Sequence, residues 1–224
     1  MDKKIILGVF ALVVISISAL LLFPSVPVDT PETLPWNITH PAPGKSRIFG
    51  ITLGQNSLND LQRVFNMEQA EVSLYKTDDG KMLVEGFYDE LNLNGLKAKF
   101  AVTIAVPEDE LDGMFNRGLR MNSALSGKRI TLAFDDLERA RNTPISSLTY
   151  LPNVRLEESI IIKRFGEPAQ RIRESKSGVV HLLYPEHGLD VSLSGNEKPV
   201  FQYISPSAFD QLSKPLQDTG EPVK

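Results

Sequence analysis

The sequence predicts an α+β fold, with an N-terminal transmembrane helix followed by two tandem helix-plus-three-strand antiparallel sheet units. Three observations carry this prediction. An uncharged apolar run, Ile5 to Phe23, opens the chain; a proline-rich stretch follows it; and the order helix, strand, strand, strand then occurs twice.

The apolar run comes first. Its 19 residues make a helix of about 28 Å, close to the roughly 30 Å hydrocarbon core of a bilayer. Lys3 and Lys4 precede it and no Lys or Arg follows until Lys45, so the positive-inside rule leaves the amino terminus in the cytoplasm and the bulk of the chain outside it. A cleaved signal peptide is the competing reading. Its apolar region is normally shorter and ends at small residues, whereas Ser16-Ile17-Ser18 is followed by Ala19-Leu20-Leu21-Leu22-Phe23. The expected location is the inner (cytoplasmic) membrane, single-pass, with the bulk in the periplasm and membrane contact through Ile5 to Phe23.

Residues 24–47 read as a stalk. Prolines at 24, 27, 31, 35, 41 and 43 break any apolar period and favour extended polyproline II. Trp36 either sits at lipid headgroups or packs on the domain. Gly44-Lys45-Ser46 matches only the end of a phosphate-binding loop, since Thr39 stands where its first glycine belongs, so a linker end is the simpler reading.

The first αβ unit spans 48–106. Ser57 and Asp60 make a capping box, and Leu58, Leu61, Val64 and Phe65 form one apolar stripe of a short helix. Extended runs follow around Val72 to Tyr75, from Lys81 to Tyr88 and over Leu91 to Leu93. Asn94-Gly95 predicts a two-residue hairpin turn. On the returning strand Ala98, Phe100, Val102, Ile104 and Val106 share one face, with Lys97, Lys99, Ala101, Thr103 and Ala105 on the other.

Residues 107–147 form a connector: an acidic helix start at Pro107-Glu108-Asp109-Glu110, a basic loop with Arg117, Arg120, Lys128 and Arg129, and a strand from Ile130 to Phe134. Asp135-Asp136-Leu137-Glu138 reads as a capping box opening a further helix. The second αβ unit covers 148–210. Its helix, Arg155 to Phe165, is stopped by Gly166 in a left-handed conformation, and Pro168 prevents it resuming. Extended runs at 169–175, 179–184, 189–193 and 199–204 follow, and 211–224 read as a flexible tail.

The helix closing on Phe165-Gly166-Glu167-Pro168, followed by an antiparallel meander over roughly 135–205, resembles the small domains of the BamE (SmpA/OmlA) family. Members of that family are lipoproteins supporting outer-membrane β-barrel assembly, with two helices on one face of such a sheet. The first unit departs from the pattern, with Phe65-Asn66-Met67-Glu68 at the corresponding place, and the lipoprotein cysteine is absent.

Composition excludes several function classes. A net charge of −4 leaves no nucleic-acid footprint, and without cysteine there are no thiolate metal sites, disulfides or cysteine nucleophiles. His40, His181 and His187 are scattered, with only Glu186 beside one of them, so no metal or cofactor is expected. Asp135, Asp136 and Glu138 read as capping groups rather than paired acid-base carboxylates. The basic loop residues touch anionic lipid, an acidic partner or only solvent. The expected function is a membrane-anchored extracytoplasmic binding or scaffolding protein of the bacterial envelope without catalysis, with an envelope protein partner and no nucleic acid. The alternative is an envelope enzyme or ligand sensor with a site between the two units, lined by Arg171, Arg173, His181 or His187.

Overall fold

A computed structural model describes residues 32–223 except 67, 94, 125, 126 and 196. The predicted anchor, Ile5 to Phe23, lies outside the described residues; among those described, no helix is long and apolar enough to cross a membrane. A small hairpin, β1 (Arg47–Ile48) and β2 (Ile51–Thr52), precedes helix α1 (Leu58–Phe65) and the meander β3 (Glu71–Thr77), β4 (Met82–Leu93) and β5 (Leu96–Ile104). Next come α2 (Glu108–Asn116), the hairpin β6 (Arg120–Ala124) and β7 (Gly127–Thr131), α3 (Phe134–Asn142) and β8 (Ile145–Pro152). The chain continues through α4 (Glu158–Phe165), β9 (Gln170–Glu174), β10 (Val180–Tyr184), β11 (Leu189–Leu193), β12 (Val200–Ile204), α5 (Asp210–Thr219) and β13 (Gly220–Pro222).

The expected pair of tandem units is corrected to one sheet. Strands β3 to β13 join in the order β13-β9-β10-β11-β12-β8-β5-β4-β3-β7-β6, and the described fold is mostly sheet, with five short helices. The physical reason is β8. On one side it pairs antiparallel with β12, Phe201 opposite Tyr150; on the other it pairs with β5, Phe100 opposite Tyr150. Each predicted meander would otherwise end at a naked edge, and β8 satisfies both.

The expected alternation holds within the meanders. Ala98, Phe100, Val102 and Ile104 are buried, and β4 and β5 close as a hairpin with Leu93 opposite Leu96 and Gly95 at φ +93°. The Ser57–Asp60 capping box forms, with the Ser57 N–H donating to Asp60 Oδ2 at 2.8 Å; removing such a cap costs about 1 kcal/mol. Gly86 on β4 gives α1 its seat, since a Cβ there would lie 3.0 Å from Leu58 Cδ1. Gly166 has φ +82° but ψ −174°, so it ends α4 in an extended, glycine-specific conformation rather than the expected left-handed helical one.

One face of the sheet holds the main core, covered by α1 to α4 and the β1–β2 hairpin through Leu58, Leu61, Met114, Ala140, Ile161 and Phe49. Phe49 itself takes φ +50°, uncommon for a bulky residue, and its ring is fully buried 4.8 Å from Phe100, 5.5 Å from Tyr150 and 5.6 Å from Tyr203. Burial of such rings, about 1.5–3 kcal/mol each, outweighs the strain of about 1–2 kcal/mol at that residue.

Among the described residues, the opposite face is covered only at one end. There α5 packs Phe209, Leu212 and Leu216 over Ile172 and Leu183, so residues expected as a flexible tail form a helix and an edge strand. Elsewhere this face carries one polar row, Thr131, Ser73, Glu85, Thr103 and Ser147, across five strands. The described part of the proline-rich segment, where a stalk is expected, lies on the body. The fully buried Tyr203 donates its hydroxyl to the Pro35 carbonyl at 2.9 Å, and the Arg164 guanidinium sits 4.3 Å from the centre of the Trp36 ring, so Trp36 packs on the domain.

Candidate binding surface

Exposed apolar side chains gather at the β6 end of the sheet. Leu119 is 71% exposed, Met121 48% and Phe134 72%; they are three of the six large hydrophobic residues that stand exposed among the described ones. The local chain brings them together. Arg117 grips Asp136 with two hydrogen bonds of 3.1 and 2.8 Å, tying the end of α2 to the start of α3, and the Leu119 N–H donates to the Thr131 carbonyl at 2.9 Å. Gly118 permits the tight entry into β6, because a Cβ there would meet Ile130 Cγ2 at 2.3 Å.

β6 is the terminal strand, so its outer edge offers unpaired backbone N–H and C=O groups, and all but its last residue are exposed. Natural edges are usually short, proline-bearing or covered. The opposite edge meets that description: β13 has three residues and ends at Pro222, which has no N–H to give. Among the described residues β6 has neither proline nor cover, and its protection is charge alone, Arg120 on the strand and Lys128 beside it.

Charge is unbalanced here too. Arg129 pairs with Glu71 at 3.1 Å and Arg117 with Asp136, but Lys76, Arg120 and Lys128 make no ion pair among the described residues. Register sets Lys76 directly opposite Lys128, and the Lys76 ammonium rests 4.6 Å from the centre of the Phe115 ring. Like charges directly opposed across strands are unfavourable. The expected basic loop is therefore an edge hairpin, and its cations split into two that are neutralised and two, joined by Lys76, that are not.

The other residues singled out in the sequence take separate places. α3 has Ala133 at its N-cap with no side-chain cap, so Asp136 does not cap as expected; it is buried under Arg117, while Glu138 pairs with Arg141 at 2.8 Å. Ser46 is fully buried and donates to the His187 carbonyl at 3.0 Å, a structural use of the Gly44-Lys45-Ser46 segment.

His181 lies on the α5-covered face. Its Nδ1 is 2.7 Å from Asp190 Oδ2, its Nε2 is 3.4 Å from Glu174 Oε1 without hydrogen-bonding geometry, and Asp190 is 1% exposed with Oδ1 unpartnered. Burial alone would lower the pKa of His181, but the Asp190 hydrogen bond and charge, with Glu174, outweigh it and leave it raised; burial raises Asp190. Both directions describe one pair that holds its proton more firmly than a free imidazole does. His40 and His187, far apart in sequence, come together at the surface, a pairing that sequence spacing could not reveal.

The seam between the expected units is closed. β5 and β8 are zipped together, and Phe49, Phe100, Tyr150, Phe201 and Tyr203 fill the core beneath them. The four residues named for a site there do not converge: Arg171 pairs with Glu158 and Glu167, Arg173 lies opposite Glu221 of β13, His181 is under α5 and His187 is beside His40. Comparison with known proteins finds no matching family model, no matching curated protein and no matching solved structure.

Proposed function

We propose that this chain is a membrane-anchored, extracytoplasmic binding or scaffolding protein of the bacterial envelope, acting without catalysis, whose β6 edge takes up an extended acidic segment of a protein partner. The carrying observation is the coincidence at one sheet end of a bare strand edge, three exposed apolar side chains and three cations without acidic partners. Strand addition uses the backbone groups for affinity and alternate side chains for specificity. Charge complementarity selects the occupant: Arg120 stands on one face of the hairpin and Lys128 and Lys76 on the other, beyond Met121, so the added strand carries carboxylates toward both faces and an apolar residue beside Met121. A second copy of β6 would instead bring a second set of cations to the same edge.

The tethering part rests on the apolar run Ile5 to Phe23 behind Lys3 and Lys4, and places the bulk of the chain in the periplasm. Protease added to intact spheroplasts is expected to digest the chain beyond residue 31 and to leave it whole only when the membrane is inverted. The binding part is tested with the purified full-length chain in detergent and a synthetic peptide built on Val-Glu-Val-Glu-Glu, which sets carboxylates on both faces of an added strand. Hydrogen exchange is expected to slow at β6 amides on binding, and the double variant Arg120→Glu, Lys128→Glu to lose at least tenfold in affinity. Protection elsewhere but not at β6, or unchanged affinity in the double variant, overturns the reading.

A further inference from the structure

The amino-terminal segment meets the body at two imidazoles. His40 Nδ1 lies 3.1 Å from the Lys45 carbonyl oxygen. A carbonyl only accepts, so Nδ1 carries a hydrogen, and in the neutral ring Nε2 is the nitrogen with the free lone pair. That nitrogen faces His187 Nδ1 at 3.5 Å. The ring planes differ by 4° and the centroids lie 5.7 Å apart, which exceeds the nitrogen separation by about a ring radius at each end. The rings therefore meet edge to edge with the nitrogens between them, not face over face.

The spacing suits a bridging atom better than a direct bond. Hydrogen-bonded nitrogen donors usually approach their acceptors to about 2.9–3.0 Å. Two nitrogens held at about 2.0–2.1 Å from one tetrahedral metal ion stand about 3.4 Å apart, and each ring, now aimed along the line between the nitrogens, turns by about 35° to face that ion. A ligand histidine that donates its second ring N–H to a backbone carbonyl, as His40 does, is also the arrangement that fixes tautomer and orientation in metal sites. His187 has its own anchor: its carbonyl accepts from the buried Ser46, and Gly188, at φ +65°, closes its 3-10 turn. A ring oriented by a backbone carbonyl on one side of a chain contact and a ring on an anchored turn on the other form a clip.

We propose that His40 and His187 together bind a borderline transition-metal ion of the zinc(II) type, with water completing its shell, and so fasten residues 32–47 to the turn after β10. No set of three metal-binding side chains is preassembled among the described residues, so the site is a two-ligand one of modest affinity. Imidazole nitrogen without thiolate suits zinc(II), copper(II) or nickel(II) and disfavours calcium and magnesium.

The test titrates zinc chloride into the chelator-treated full-length chain in detergent, followed by calorimetry and by NMR of the histidine rings. One equivalent is expected to shift the ring signals of His40 and His187 and to leave His181 unmoved. His40→Ala and His187→Ala are each expected to weaken binding at least tenfold. Zinc is expected to raise Tm in the parent chain and not in His40→Ala, whose exposed position leaves the metal-free fold intact. Equal affinity in the parent and His40→Ala, or shifts centred on His181, overturns the proposal; magnesium binding with the same affinity as zinc does so as well.

Discussion

Truncation of Tyr150 to alanine tests whether the sheet is mechanically one object. Tyr150 is 2% exposed on β8, and its ring lies 5.9 Å from Phe100 of the first half, 5.4 Å from Phe201 of the second and 5.5 Å from Phe49 above them. Loss of a buried aromatic side chain of this kind costs about 3–5 kcal/mol, which already contains the ring-pair contributions. Against a total stability of about 5–15 kcal/mol, the variant still folds. For a body of this size each kcal/mol moves Tm by about 2–4 °C, so a drop of about 6–20 °C is expected. Because Tyr150 serves both halves, calorimetry is expected to give one transition displaced as a whole, and hydrogen exchange to accelerate in β5 and β12 alike. Two transitions of which only one moves, or faster exchange confined to one side of β8, would refute the reasoning and restore two independent units.

Other perturbations read other parts of the molecule. The His181–Asp190 pair holds its proton more firmly folded than unfolded, so its stabilisation is full below about pH 6.5, the unfolded histidine value, and is lost as pH rises through the raised folded value. The urea midpoint is expected to fall from pH 6 to pH 9 and to do so less steeply in His181→Phe; an equal slope in both counts against the pair. Gly188→Ala and Gly80→Ala share a positive φ, of +65° and +89°, but a Cβ at 188 meets the Ile204 carbonyl oxygen at 1.9 Å whereas one at 80 meets nothing. Gly188→Ala is therefore expected to lower Tm well beyond Gly80→Ala, and comparable losses would mean that the crossing of β12 over that turn is wrongly placed. Lys128→Glu exchanges a like-charged cross-strand pair for an opposite one, so stability is expected to rise by about 0.2–1 kcal/mol while acidic-peptide binding weakens. A loss of stability in urea denaturation would show that Lys128 has a structural partner.

What the sequence discloses depends on how much of a residue's environment is local. The strands of both meanders are legible because β5 buries Phe100, Val102 and Ile104 on one side and wets the other, and the glycine of the 94–95 turn takes the positive φ that a two-residue hairpin needs. β8 carries the same alternation, Leu148 and Tyr150 against Ser147 and Thr149, but in a short run between Pro144 and Pro152 that does not disclose pairing on both of its edges. Its place in the sheet comes from two long-range partners rather than from its own composition. β6 is hidden for the opposite reason: an edge strand buries little, so Arg-Met-Asn-Ser-Ala carries no alternation. α5 contains Pro215 near the chain end, where a helix is a poor local expectation, and is held by Phe209, Leu212 and Leu216. The surface chemistry is less legible still. That Lys76 opposes Lys128 depends on register between strands far apart in the chain, and that His40 meets His187 depends on a contact across 147 positions.

The two ends of the sheet are built on different principles, and that difference is the strongest pointer to function. At the β13 end the outermost strand is short, carries Pro222 and stands beside α5, while the Val223 N–H returns to the Arg171 carbonyl at 3.0 Å. Nothing further is invited to pair there. At the β6 end a longer strand without proline stands bare beside Leu119, Met121 and Phe134, and register imposes a lysine pair that a single substitution would relieve. Folding does not require that arrangement, since burial and charge balance would both favour a different sequence. A cation cluster discourages pairing between like edges, which is compatible with the acidic strand proposed as its occupant. The proposed preference for an acidic strand over a second copy of β6 therefore rests on the same three side chains, Lys76, Arg120 and Lys128.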